Sequence, residues 1–174
     1  MAETRKVAVI GAGDMGHGIA ELFAMAGFDV SLMDKFPEML EKAKGRIASS
    51  LDKMVESVGG EAIAAYDQKV SCCGGALAFS EPEKSQKQIK DIVESAYDHG
   101  ADMIVTPCPL CQANVEIYQG SINRKYGTKF DMPVMYYSQL MTVAYGGGIK
   151  EAGLDGQVIR ARKLEEIAIK EVKK

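Results

Sequence analysis

Apolar residues along this chain alternate between short continuous runs and longer stretches in which they recur every three or four positions, the pattern of strands interleaved with helices. Residues 6–10 (KVAVI) form such a run and are followed at once by Gly11-Ala12-Gly13, which predicts a buried strand ending in a tight turn. Ile19, Leu22, Phe23 and Ala26 then recur at helical spacing, and Gly27 is placed to end that helix before a second strand at 28–33. Over 37–58, Met39, Leu40, Ala43, Ile47, Leu51, Met54, Val55 and Val58 fit one or two amphipathic helices, with Gly45 or Ser49-Ser50 as the break in the two-helix form and Gly59-Gly60 as the end.

The second half repeats the alternation. A weak strand-like stretch over 61–70 leads into Ser71-Cys72-Cys73-Gly74-Gly75, a loop whose glycines free the backbone to fold around something. Ser80-Glu81-Pro82-Glu83 reads as an N-cap with proline in the first turn, and Ile89, Ile92, Val93 and Ala96 give that helix a buried face up to Gly100. A strand is expected at 102–106, then a helix opened by Pro107-Cys108-Pro109-Leu110-Cys111 and running to about Tyr126. A strand at 132–137, a short helix at 138–145, a break at Gly146-Gly147-Gly148 and a charged helix at 157–174 complete the chain. Together these predict an α/β fold, a compact and mainly parallel sheet flanked by helices.

Composition narrows the function classes. The chain has 174 residues, 47% hydrophobic and 26% charged, close to the globular average, so one domain or two very small ones is the limit. With 21 Lys and Arg against 24 Asp and Glu and no basic block, nothing recruits nucleic acid or an anionic membrane. No apolar run approaches the ~18 residues of a membrane span, and the N-terminus enters the first strand without the pattern of a secretory signal, so a cytoplasmic location is expected. The four cysteines, Cys72, Cys73, Cys108 and Cys111, are clustered rather than scattered, which in a reducing compartment favours metal-binding or catalytic roles over disulfides.

Gly11-Ala12-Gly13-Asp14-Met15-Gly16 matches G-x-G-x-x-G between a predicted strand and a predicted helix. In that setting the first glycine allows the turn, the second lets a pyrophosphate approach, and the third lets helix and strand pack closely. Asp34 falls at the end of the second strand, where a carboxylate accepts hydrogen bonds from an adenosine ribose and favours NAD. Gly11, Gly13, Gly16 and Asp34 are therefore the candidate nucleotide contacts of a Rossmann-like strand-helix-strand segment; a tight turn without ligand is the alternative. The run 7–34, with Gly16-His17-Gly18-Ile19-Ala20, resembles the N-terminal segment of 3-hydroxyacyl-CoA dehydrogenases over roughly the first 50 to 58 residues. That resemblance implies NAD binding. The family's catalytic histidine has no counterpart here, and His17 and His99 read as surface or packing residues.

Cys72-Cys73-Gly74 followed by Cys108-x-x-Cys111, with 34 residues between Cys73 and Cys108, is the more specific pattern. Thiolates ligate iron-sulfur clusters, and one pair on a glycine-rich loop with the other at a helix N-terminus lets separated segments converge. A zinc site, a Cys108–Cys111 dithiol and buried unligated thiols stay open as readings of the residues. Ser50-Leu51-Asp52-Lys53-Met54-Val55, Cys72-Cys73-Gly74-Gly75-Ala76, Gly100-Ala101-Asp102, Cys108-Pro109-Leu110-Cys111-Gln112-Ala113-Asn114 and Met132-Pro133-Val134 leading to Gln139-Leu140 resemble the cysteine-rich CCG domain found in the B component of heterodisulfide reductase. This likeness runs from about residue 50 to near the end. It implies an iron-sulfur cluster, here of the four-iron type on Cys72, Cys73, Cys108 and Cys111, partner redox subunits and a disulfide or thiol substrate. The family's further cysteine is absent from 32–42, and there is no second CCG motif.

The two resemblances meet inside one predicted helix, so the chain reads as a chimera of a dinucleotide-binding segment, 1–58, and a CCG domain, 59–174. An iron-sulfur redox protein for electron transfer or thiol-disulfide reduction is the first functional reading. A truncated NAD-binding module with a structural cysteine site is the second, and a fusion without activity the third.

Overall fold

The computed structural model describes residues 6–63, 66–69 and 71–171. Contacts divide the chain into two compact units, 1–54 and 55–174. The elements are β1 (Lys6–Ile10), α1 (Gly16–Met25), β2 (Asp29–Met33), α2 (Pro37–Ser57), α3 (Pro82–Asp98), β3 (Ile104–Thr106), α4 (Pro109–Tyr126), β4 (Val134–Tyr136), α5 (Tyr137–Ala144) and α6 (Arg162–Glu171), with 3-10 turns at Gly75–Leu77 and Leu154–Gly156.

In the first unit β1 and β2 pair in parallel, from Lys6 opposite Asp29 to Ile10 opposite Met33. The Gly11 N–H extends the ladder by donating to the Met33 carbonyl at 2.7 Å. α1 makes the crossover that parallel strands require. Gly27, at φ 81°, ends it, because only glycine holds the left-handed backbone there without cost. α2 is one uninterrupted helix of 21 residues, so neither Gly45 nor Ser49-Ser50 breaks it. A single interior glycine costs a helix only about 1 kcal/mol, which its amphipathic pattern offsets.

In the second unit β3 and β4 pair in parallel from Ile104 opposite Val134 to Thr106 opposite Tyr136. Successive strand side chains face opposite ways, and the unit builds a core on each face. Val134 and Ile104 join Ile89, Ile92, Val93, Ala96, Val115, Ile122 and Met132 on one side. Met135 and Val105 join Leu140, Val143, Ala152, Leu154, Leu164 and Ala168 on the other. The expected α/β class and parallel pairing are therefore present, with the strands arranged among the described residues as two separate pairs.

Three local expectations change. No strand forms in the described part of 61–70; Ala64, Ala65 and Val70 lie outside the described residues. Pro82 opens α3 directly after Glu81, so Ser80 is not its cap. The last helix begins at Arg162 rather than 157 because the segment before it bends and is tied to α4, with the Ile159 N–H donating to Glu116 Oε1 at 2.9 Å. Residues 172–174 of that predicted helix are outside the described residues.

Candidate functional site

The cysteine site lies at the C-terminal ends of β3 and β4, the end at which parallel sheets place their ligands. Thr106 closes β3, and its hydroxyl accepts the Cys108 N–H at 3.2 Å. Cys108 is extended, at φ −104° and ψ 116°, as a residue before proline must be, and Pro109 starts α4 where no N–H is needed. Cys111 follows in the first helical turn.

The other pair arrives on the 71–75 loop. Gly74 sits at φ 69°, a backbone that favours glycine, and a Cβ there would displace the end of the Gln88 side chain and lie a tight 3.2 Å from Ser85 Cα. A Cβ on Gly75 would meet Leu110 Cγ at 2.9 Å, which shows how closely the loop approaches the first turn of α4. Asn114, one turn beyond Cys111 and buried, donates from Nδ2 to the Cys73 carbonyl at 3.0 Å. Cys73 is buried within the first core, whereas Cys72 is exposed.

The four thiols act on one another as neighbours in the order Cys72, Cys73, Cys111, Cys108. Backbone and amide N–H groups are turned on them: Gly74 N–H on Cys72 Sγ at 3.4 Å, Gly75 N–H and the Asn114 side chain on Cys73, and the Leu110 and Cys111 N–H groups on Cys108. Cys73 is lowered to about 3, first by the Cys111 thiol and then by Cys72, and Cys108 to about 6, first by Cys111. Cys72 and Cys111 are pushed up because they donate to those anionic neighbours and are partly buried. The directions thus alternate along the four, Cys73 and Cys108 held down and Cys72 and Cys111 pushed up. Burial first, then the charge on Cys108, raises the Tyr136 phenol at the end of β4.

This donor chemistry, four sulfurs from two segments with N–H groups aimed at them, suits an iron-sulfur cluster, whose sulfurs accept such bonds. As placed, the sulfurs are strung along a chain, and no three His, Cys, Asp or Glu side chains among the described residues gather as a group able to hold a metal ion. Thr106 carries no motif of its own, whereas Asn114 closes the Cys108–Asn114 run that carries the CCG resemblance. The signal for Asn114 is its place three residues beyond Cys111, on the same helix face.

The glycine-rich turn lies in the first unit. Gly11 is at φ 95°, which the turn requires. A Cβ on Gly16 would collide with the Gly11 carbonyl, so α1 can start this close to β1 only on a glycine, while a Cβ on Gly13 would meet nothing within 4 Å. Asp34 accepts the Ala12 N–H at 2.7 Å and the Phe36 N–H at 2.9 Å, and these bonds hold its carboxyl below the usual range. Each of its oxygens keeps a second lone pair for a ligand hydroxyl. No side chain among the described residues caps the first turn of α1. The Nδ1 of His17 is 2.8 Å from the Gly13 carbonyl, and that of His99 is 2.8 Å from the Ser95 carbonyl, each bonding one turn back along the chain.

A family model described as 3-hydroxyacyl-CoA dehydrogenase, NAD binding domain, matches residues 6–99. Among curated proteins, the 8-methylmenaquinol:fumarate reductase membrane anchor subunit of Wolinella succinogenes is 33% identical over 116 residues, 67% of this chain and 40% of that protein. The B component of a ferredoxin/F(420)H(2)-dependent CoB-CoM heterodisulfide reductase from Methanosarcina acetivorans is 31% identical over 111 residues, 63% of this chain and 37% of that protein. A probable 3-hydroxybutyryl-CoA dehydrogenase of Deinococcus radiodurans is 51% identical over 51 residues, 29% of this chain and 18% of that protein. The chain thus spans less than half the length of these relatives. Among the described residues no helix is long and apolar enough to cross a membrane.

Proposed function

From the likeness to the B component of heterodisulfide reductase we propose that this chain, which belongs to the 3-hydroxyacyl-CoA dehydrogenase NAD-binding domain family, is an iron-sulfur redox protein acting in electron transfer or thiol-disulfide reduction. Its functional division falls at the end of α2, with 1–58 as the dinucleotide-type segment and 59–174 as the cysteine domain. The observation that carries this reading is the chain of four thiols under N–H donors, which fits the holding of anionic sulfur.

Cys72, Cys73, Cys108 and Cys111 would be the ligands. A bound four-iron cluster would supply one-electron transfer. The protein's own part is to present two sulfurs already deprotonated, to keep Cys73 out of water, and to aim the amides of Gly74, Gly75, Leu110 and Cys111 and the side chain of Asn114 at the sulfurs. Partner redox subunits, a small thiol or disulfide as substrate and a cytoplasmic location belong to this reading. The test is anaerobic reconstitution with iron and sulfide, followed by iron and acid-labile sulfide analysis and a visible spectrum. A brown protein whose colour is lost in Cys73→Ala is expected; a colourless one that takes up no iron sinks the proposal.

A second reading rests on the collision between Gly16 and the Gly11 carbonyl, the open space at Gly13 and the placement of Asp34. In it, Gly11, Gly13, Gly16 and Asp34 bind the adenosine and pyrophosphate of NAD, and the cysteines serve structure. NADH should then raise the melting temperature, since a ligand of the native state stabilises it by mass action. No shift at millimolar NADH would retire it.

A further inference from the structure

One polar side chain beside the cysteine site is bonded far more heavily than any motif suggests. Gln139, in the first turn of α5, accepts at Oε1 from Gln112 Nε2 at 2.9 Å, from the Tyr136 N–H at 3.0 Å and from Gln157 Nε2 at 3.3 Å. Its Nε2 donates to the Ala152 carbonyl at 3.0 Å and the Gly153 carbonyl at 3.4 Å. Gln112 is the residue after Cys111, and its N–H donates to the Cys108 carbonyl at 3.1 Å, the first bond that closes the cysteine turn. Tyr136 ends β4, opposite Thr106, whose hydroxyl takes the Cys108 N–H.

One carboxamide therefore joins the first turn of α4, the end of β4 and the 152–157 segment. The 157–159 stretch runs along the same face of α4, since Glu116, one turn past Gln112, takes the Ile159 N–H. A glutamine can do this because its two donors match the two carbonyls and its two lone pairs take the Gln112 and Tyr136 N–H groups, the longer Gln157 contact sharing one of them. An apolar residue of the same length would release all three segments.

We propose that Gln139 is the positioning residue of the Cys108–Cys111 turn, acting through Gln112 to hold Cys111 in register with Cys73 and Cys108. Its oxygen sets the turn. Its nitrogen only ties down 152–157. The inference goes beyond the cluster reading and does not need it, because it concerns where the sulfurs stand in the metal-free chain.

The test is alkylation of reduced, metal-free protein by iodoacetamide, with each cysteine's rate followed by mass spectrometry. Cys72 on the other segment is the internal control. Gln139→Met and Gln112→Met should each raise the Cys108 and Cys111 rates by roughly tenfold relative to Cys72, the scale of one lost hydrogen bond of about 1.4 kcal/mol. Gln139→Glu keeps the acceptor for Gln112 and Tyr136 but sets its other oxygen against the Ala152 and Gly153 carbonyls, so it should raise the Cys108 and Cys111 rates by less than Gln139→Met does. Unchanged Cys108 and Cys111 rates in a folded Gln139→Met protein overturn the proposal, as does a uniform rise at all four cysteines. If Gln139→Met fails to fold, Gln112→Met, which removes only the α4 bond, decides in the same way. A natural protein that takes up no iron sinks the cluster reading and leaves this measurement standing.

Discussion

In the first unit Ile10, Leu22 and Met33 are more than half exposed and the buried apolar residues are mostly small, Ala12, Ala20 and Ala43 among them; in the second, Ile89, Ile122, Met135 and Leu154 are fully buried. The glycine turn of the first unit is held by backbone: a positive φ at Gly11, a carbonyl where a Cβ at Gly16 would stand, and two N–H groups on Asp34. The cysteine site of the second is held by side chains brought from positions 41 apart, Asn114 and Cys73, and 27 apart, Gln112 and Gln139. A backbone site can be specified by neighbours in the chain. A side-chain site depends on the core that carries it.

That contrast can be broken most forcefully in the core. Ile122→Ala, a truncation in a fully buried position of the second unit, should cost about 2–5 kcal/mol in urea unfolding. Hydrogen exchange should show the loss at α3, α4 and β4, with β1 and β2 unchanged. Equal loss of protection in β1 and β2 would mean that the first unit depends on the second unit's core.

A smaller effect separates two glycines of the same motif. Gly16→Ala drives a methyl into the Gly11 carbonyl and should cost about 1–3 kcal/mol, the range of an overpacked site. Gly13→Val has open space for its side chain and should leave melting in the absence of ligand nearly unchanged while abolishing the rise produced by NADH. Equal destabilisation by both would show that the turn is a packing device and nothing more.

The smallest effects come from two carboxylates with opposite responses to pH. Asp34, held low by the Ala12 and Phe36 N–H groups, contributes stability that is present above its unfolded value of 3.8 and is lost as pH falls through the lower folded value. Asp34→Asn should therefore flatten the acid limb of the first unit. Glu116 is raised by burial, so its contribution is full below 4.5 and is lost as pH rises through the folded value. Glu116→Gln keeps an acceptor for the Ile159 N–H and should be neutral or slightly stabilising at pH 7, with the gap closing by pH 4 in urea titrations. A variant clearly weaker than the natural protein at pH 7 would count against that account.

Much of this was legible in the residues themselves. KVAVI before a glycine turn forms β1, Gly27 ends α1 and Pro109 starts α4, because strands, caps and left-handed glycines answer to local sequence. The buried face of α3 was readable from the spacing of Ile89, Ile92, Val93 and Ala96. The site was half legible. Four clustered cysteines announce sulfur chemistry, but nothing local distinguishes buried Cys73 from exposed Cys72.

The order of elements and most of their ends were therefore readable from the sequence alone, because they answer to neighbours within a few residues. Only the packing brought out that β4 separates two cores, that the 71–75 loop meets the first turn of α4, and that Asn114 and Gln139 bond across to distant segments beside the cysteines. The reason is physical: an amide on a helix reads as an ordinary polar surface residue until packing removes water from it, and only then does its partner, many residues away, determine what it does.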